Sequence, residues 1–122
     1  MPKLLNPEAE AFFLGHSARD EVGTAFIESL QPLGEYEIRG DVRIYKSPYS
    51  VTNNVVFGGG AGTSHVFYRL APEDRDIALK TGAEQSELGP EWVRLELFRP
   101  NWPKPDLTHW ARRAYVSARS GK

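Results

Sequence analysis

The glycine-rich stretch at residues 55–70, VVFGGGAGTSHVFYRL, is the part of the sequence that looks most like a ligand-binding loop. A P-loop requires the pattern G-x-x-x-x-G-K-[ST], in which lysine reaches the phosphates, and this stretch contains no lysine. A dinucleotide-binding fingerprint requires G-x-G-x-x-G before a helix, but Thr63 takes the third glycine position and a strand-like run follows. The favoured interpretation is therefore a mobile hairpin connection between two strands.

A second interpretation keeps the stretch as a ligand site. Successive backbone N–H groups can form an anion-binding nest without a helix, here at Gly59 and Gly60. Thr63, Ser64 and His65 would add polar groups at the edge of that nest. His65 would then act as a general base or a ligand contact, whereas its structural interpretation is a partly exposed histidine on a sheet.

The residue types that usually form metal centres and catalytic triads are absent or badly spaced. The sequence contains no cysteine, which excludes disulfides, thiolate nucleophiles and cysteine-ligated metals. His16, His65 and His109 lack the close spacing of a local metal site, and no serine lies in a G-x-S-x-G elbow. We therefore expect no metal, no cofactor and no catalytic residue. The sequence does not exclude enzymatic activity, but it favours a protein that is not an enzyme.

Two other stretches could contact a partner. The proline-rich loop carries Arg99, Trp102 and Lys104, and an exposed tryptophan between cations could stack on a base, a sugar or a partner's proline. The alternative is that Trp102 packs on the edge of the core. Arg112 and Arg113 in the last helix could contact phosphates, or could belong to a solvated face.

The overall composition describes a globular protein without a strong charge. The 122 residues are 40% hydrophobic and 25% charged, with a formal net charge of -1. A nucleic-acid binder usually carries a basic excess, which is absent here. No apolar run is long enough to span a bilayer, and no targeting signal is evident. We therefore expect one cytoplasmic domain over residues 1–122, a monomer or a homodimer, without a membrane partner.

Hydrophobic periodicity and capping residues predict the elements that position these side chains. Helices are predicted at residues 7–14, 18–31, 71–82 and 107–119. Strands are predicted at residues 35–40, 41–46, 51–57, 64–70 and 91–100, with turn residues at 47–50. This order predicts an α+β fold in which an antiparallel sheet of about five strands has helices packed on one face.

The C-terminal half resembles the MmcQ/YjbR-like group, which includes the N-terminal domain of the TfoX competence regulators. The resemblance rests on three segments in order: HVFYRLAPEDRDIALKTGA (65–83), WVRLELF (92–98) and DLTHWARRAYVSAR (106–119). Shorter matches in QPLGEYEIRG and VVFGGG extend it over residues 30–119. The resemblance implies an α+β fold of double-wing type, a shape for which members of the group have been labelled DNA-binding. A shared fold does not by itself imply a shared function.

Three functions stay open at this point. The favoured one is a non-enzymatic binding or interaction module for a protein or a small ligand. Its candidate ligand-binding residues are Gly59, Gly60, Thr63, Ser64, His65, Arg99 and Trp102. The second is weak nucleic-acid binding, which the near-neutral charge disfavours. Its candidate residues are Arg43, Lys46, Arg112 and Arg113. The third is a small enzyme that uses His65 and the glycine-rich loop.

Overall fold

An antiparallel sheet forms the centre of the computed structural model, which describes residues 3–40, 46–101 and 104–120. Within these ranges the sheet has six strands. They are β1 (Glu37–Arg39), β2 (Tyr49–Thr52), β3 (Val55–Ala61), β4 (His65–Arg69), β5 (Glu84–Gln85) and β6 (Trp92–Glu96). Their order in the sheet is β1-β2-β3-β4-β6-β5, so β3 and β4 lie at its centre.

Four helices surround this sheet in the described part of the chain, close to their predicted positions. They are α1 (Pro7–Leu14), α2 (Asp20–Ser29), α3 (Pro72–Lys80) and α4 (Leu107–Arg119). Proline opens α1 and α3, where its missing N–H group has no intrahelical partner to lose. The Asp106 carboxylate caps α4 by accepting a hydrogen bond of 3.1 Å from the backbone N–H of His109.

Both faces of the sheet are covered. Helices α2, α3 and α4 contribute to one hydrophobic core, which includes Phe26, Tyr68 and Trp110. Helix α1 packs on the opposite face, where Phe13 and Phe67 belong to a second core. The predicted α+β class with an antiparallel sheet is confirmed. The sheet has six strands in the described ranges rather than about five. Helix α1 does not belong to the predicted single layer of helices, because its phenylalanines pack against the other face of the sheet.

The glycine-rich segment is the interior of a strand, so the predicted mobile connection is wrong for residues 58–60. These glycines lie in β3 and are buried, with helices on both sides of the sheet. A Cβ atom at Gly59 would lie 2.5 Å from Cζ of Phe13, and one at Gly60 would lie 3.1 Å from Cγ1 of Val22. Glycine is therefore required here because α1 and α2 approach the strand closely from opposite faces.

The true connection between β3 and β4 is a short turn formed by Gly62, Thr63 and Ser64. Gly62 has a positive φ of 77°, which favours glycine, and its N–H group donates to the carbonyl of Ser17 at 2.7 Å. The carbonyl of Ser64 accepts a hydrogen bond of 2.8 Å from the N–H group of Leu97. Backbone hydrogen bonds therefore tie this turn to two other segments.

The predicted strand over residues 51–57 is a hairpin instead. Asn53 and Asn54 have positive φ values of 51° and 63°, as the two-residue turns of type I′ hairpins require. Strand β2 also includes Tyr49, which was predicted to lie in a turn. Most of the strand predicted at residues 41–46 lies outside the described residues, and the two-residue strand β5 was not predicted. Among the described helices, none is long and apolar enough to cross a membrane.

Candidate functional site

A cavity of about 330 Å³ lies where the end of β6, the turn after α3 and the beginning of α4 meet. Its apolar surface includes Leu95 and Trp110, both of which are largely buried. Charged and polar side chains surround that surface. The lining residues are Thr81, Gly82, Leu95, Glu96, Arg99, Lys104, Pro105, Asp106, His109 and Trp110. An apolar floor with a few converging polar groups is typical of small-molecule sites.

Local structure fixes the walls of this cavity. Strand β6 ends at Glu96. The next residue, Leu97, is held in place because its backbone N–H group donates a hydrogen bond to the carbonyl of Ser64 in the turn before β4. The Asp106 cap begins α4 so that His109 and Trp110 both lie in its first turns, with their rings 4.6 Å apart in a T-shaped contact. After α3, Gly82 adopts a positive φ of 111° and turns the chain toward β5.

A charged cluster adjoins the cavity and shares two residues with it. We use the name charged cluster for His65, Glu84, Arg94, Glu96 and Arg99. Within it, His65 Nε2 lies 3.3 Å from Glu84 Oε1, and Arg94 Nε lies 3.6 Å from the same oxygen. Arg99 lies 3.3 Å from Glu96 and 3.9 Å from Glu84. Glu96 and Arg99 therefore connect this cluster to the cavity.

Strand register brings the cluster together. His65 of β4 lies directly opposite Glu96 of β6, and Glu84 of β5 lies opposite Arg94. Opposite residues on antiparallel strands have their side chains on the same face, here the face that carries α1. Residues separated by 31 positions in the sequence become neighbours through this pairing alone.

The charged and hydrogen-bonding groups of the charged cluster are only partly paired. Its side chains are between 24% and 38% exposed, so each ion pair contributes about 0–1 kcal/mol. Arg94 Nη1 also approaches Glu87 at 3.6 Å, so two guanidinium groups face three carboxylates. Arg94 Nε is buried and makes no hydrogen bond to any described residue. The cluster therefore keeps polar groups that a ligand could engage.

The predicted ligand-binding residues do not lie together: the two glycines are buried inside the fold, whereas Ser64 lies next to the charged cluster. Gly59 and Gly60 lie inside β3, where the N–H group of Gly60 donates to the carbonyl of Pro48 at 3.0 Å. They are covered by α1 and α2, so they form no anion-binding nest. Ser64 lies beside His65, with Oγ 3.2 Å from Nδ1.

Of the remaining predicted residues, only Arg99 lines the cavity in the described part of the chain. Arg99 belongs to both the cavity and the charged cluster, and Thr63 lies exposed in the turn before β4. Trp102 lies outside the described residues, whereas Lys104 from the same loop lines the cavity. The structure therefore joins His65 and Arg99 through Glu84, a contact that the sequence did not suggest.

The predicted nucleic-acid-binding residues do not form one patch in the described ranges. Arg113 Nε is 3.0 Å from the Asp74 carboxylate, which offsets its charge. Arg112 is exposed on α4, and Lys46 is exposed on a different segment that bridges to Ser17. Arg43 lies outside the described residues.

Sequence reasoning missed the acidic half of the charged cluster. Arg94 and Glu96 alternate with apolar residues in β6, a pattern that is typical of a strand with one polar face but does not identify the partners of that face. Glu84 lies in a strand of two residues, which is too short to show any period. Only the register of three strands identifies Glu84 and Glu96 as neighbours of His65.

The shifted pKa values belong to groups that hold the fold together. A hydrogen bond of 2.7 Å from the Tyr49 hydroxyl, assisted by Arg39 at 2.6 Å, lowers the pKa of Glu10. Burial, with the same hydrogen bond, raises the pKa of Tyr49 to about 12. Burial also raises the pKa of Tyr68, whose hydroxyl is 2.7 Å from Ser29 Oγ. These interactions connect α1 to β1 and β2, and α2 to β4.

Comparison of the chain with protein-family models, with curated proteins and with solved structures finds no significant match.

Proposed function

We propose that the protein is a non-enzymatic binding module for a small anionic molecule with a flat apolar body. The observation that carries this proposal is the cavity, whose lining includes the cations Arg99 and Lys104 together with the apolar side chains of Leu95 and Trp110. Its volume of about 330 Å³ is at the lower end of the range for ligand sites, roughly 300–1,000 Å³. A ligand of one or two rings suits that volume.

The charges at the cavity favour an anion. Lys104 makes no ion pair within the described part of the chain, so an incoming carboxylate would gain a cation that is not already neutralised. Arg99 is a second cation among the lining residues, where it also lies 3.3 Å from Glu96 and 3.9 Å from Glu84.

Matched ligand pairs test this proposal. Benzoate and indole-3-acetate keep the flat ring and the anion, whereas benzamide and indole-3-acetamide keep the ring and remove the charge. In calorimetric or NMR titrations, we expect the two carboxylates to bind more tightly than their amides. Arg99→Ala and Lys104→Ala should each weaken carboxylate binding, because each removes a cation from the cavity.

Arg112→Ala provides the matched control, because Arg112 is an exposed arginine of α4 that does not line the cavity. It should bind both carboxylates with the affinity of the wild type. Equal binding of acids and amides would contradict the proposed role of the charge. Wild-type affinity in both cavity variants would contradict the proposed site.

We also propose membership of the MmcQ/YjbR-like group. The order β4, α3, β6 and α4, with the two-residue strand β5 between α3 and β6, supports it, because the resemblance over residues 65–119 implies strand, helix, strand and helix in that order. No observation on the described residues favours the DNA-binding label of that group. A fluorescence anisotropy titration of duplex DNA at low and physiological salt tests the label, and we expect no tight binding with a steep salt dependence.

A further inference from the structure

We propose that His65, Glu84 and Glu96 form a binding site for a divalent transition-metal ion, with Zn²⁺ as the best-suited ion. One ligand atom from each residue lies within 4.8 Å of the other two. The three residues come from β4, β5 and β6, so the sheet itself sets their separation. This proposal does not rest on a ligand in the cavity, and its test uses the metal alone.

The separation of the His65 and Glu84 ligand atoms, which is also within hydrogen-bond range, fits a metal site. His65 Nε2 and Glu84 Oε1 are 3.3 Å apart, which exceeds the length of a strong imidazole–carboxylate bond. With metal–ligand bonds of about 2.0–2.1 Å, two ligands of a tetrahedral zinc ion lie about 3.4 Å apart. A carboxylate oxygen of Glu96 lies within 4.8 Å of a ligand atom of His65 and of a ligand atom of Glu84.

The donor set also fits this class of ion. Imidazole nitrogen with carboxylate oxygen is a common ligand combination for zinc, and three protein ligands leave a position for water. Ser64 Oγ lies 3.2 Å from His65 Nδ1, so the hydroxyl can hold the ring with Nε2 toward the carboxylates. Arg94 Nε is buried without a hydrogen bond to a described residue and lies 3.6 Å from Glu84, where it can orient a metal-bound carboxylate.

Arg94 and Arg99 already contact the two carboxylates, so a metal must compete with them for Glu84 and Glu96. Their contacts with Glu84 and Glu96 are 3.3–3.9 Å long and lie on partly exposed side chains, so they are weak. The Arg99 guanidinium can turn away while the carboxylates turn toward the metal, and Arg94, whose Nε is buried, can keep its contact with Glu84. The arginines should therefore reduce the affinity without preventing binding.

Titration of the full chain with Zn²⁺ tests the site, using protein without a histidine tag. We expect one equivalent to bind in calorimetry, and Co²⁺ to give a visible absorption spectrum that reports nitrogen and oxygen ligands. His65→Ala should weaken binding at least about tenfold, since it removes the only nitrogen ligand. Glu84→Gln should do the same with little change in side-chain volume, and circular dichroism checks that both variants fold.

His16→Ala is the matched control, because His16 is an exposed histidine at the end of α1 and lies outside the charged cluster. It should bind Zn²⁺ as the wild type does. Absence of saturable binding to the wild type would overturn the proposal. So would binding that survives both His65→Ala and Glu84→Gln, or binding that only His16→Ala removes. None of these outcomes affects the benzoate titration, which is carried out with a chelator present.

Discussion

Replacing Gly59 by alanine tests how tightly α1 packs on the centre of the sheet. The new methyl group would lie 2.5 Å from Cζ of Phe13, well inside van der Waals contact. Overpacking of this kind typically destabilises a core by about 1–3 kcal/mol. With an unfolding entropy of about 2.1 cal/mol/K per residue, a chain of 122 residues loses about 4 °C of Tm per kcal/mol. The expected decrease in Tm is therefore about 4–12 °C.

Thermal unfolding followed by circular dichroism measures this decrease, and two further variants show its cause. Gly15→Ala is the control, because a Cβ atom there meets its nearest neighbour at 3.4 Å and the φ of -85° suits any residue. It should change Tm by only a degree or two. In a Phe13→Leu background, the smaller side chain makes room, so Gly59→Ala should cost less than in the wild type. An unchanged Tm for Gly59→Ala, or the same cost in both backgrounds, would refute the packing described for β3.

Two further predictions concern polar groups that form hydrogen bonds between elements of the fold. Ser29→Ala should destabilise the fold by about 1–3 kcal/mol, because it leaves the buried Tyr68 hydroxyl without its partner; Tyr68→Phe in the same chain should recover part of that loss in urea unfolding. Since Tyr49 and Arg39 lower the pKa of Glu10, the Glu10 carboxylate stabilises the fold above its unfolded pKa of about 4.3, and this stabilisation is lost as the pH falls through the lower folded pKa. Acidification should therefore lower the Tm of the wild type more steeply than that of Glu10→Gln, and parallel curves would contradict that role.

The helices could be predicted from the sequence because their signals are local. Pro7, Pro72 and Asp106 mark helix starts through backbone chemistry that depends on a few neighbouring residues. Strands β4 and β6 were also predicted, since both contain β-prone runs bounded by turn residues. Their boundaries shifted by a few residues because strand ends depend on pairing.

The glycine-rich part of strand β3 could not be predicted, because these glycines pack closely against residues that are distant in the sequence. Glycine normally weakens a strand interior, so GGG indicates a loop unless Phe13 and Val22 are known to pack on it. The hairpin at Asn53 and Asn54 was missed for a different reason. The valines on both sides make the β-prone pattern continuous, so the pattern does not show that these two asparagines adopt positive φ.

Only some residues of the candidate site could be predicted from the sequence. Arg99 and His65 stand out as a cation on a stiff loop and a histidine on a strand, and both lie in the charged cluster. Their connection through Glu84 and Glu96 depends on the register of three strands, which no local pattern encodes. Trp110 lies in the predicted helix over residues 107–119, but the cavity beside it depends on how three segments meet.

Mapping of benzoate binding by ¹H–¹⁵N NMR tests the proposed binding function most directly. With the chain labelled uniformly, we expect saturable shifts at the backbone amides of Thr81, Glu96 and Arg99, and at the indole N–H group of Trp110, all of which belong to cavity residues. Benzamide should leave these signals close to their free positions. The largest shifts falling instead at the turn of residues 62–64, or no saturable shift at the cavity, would contradict the account.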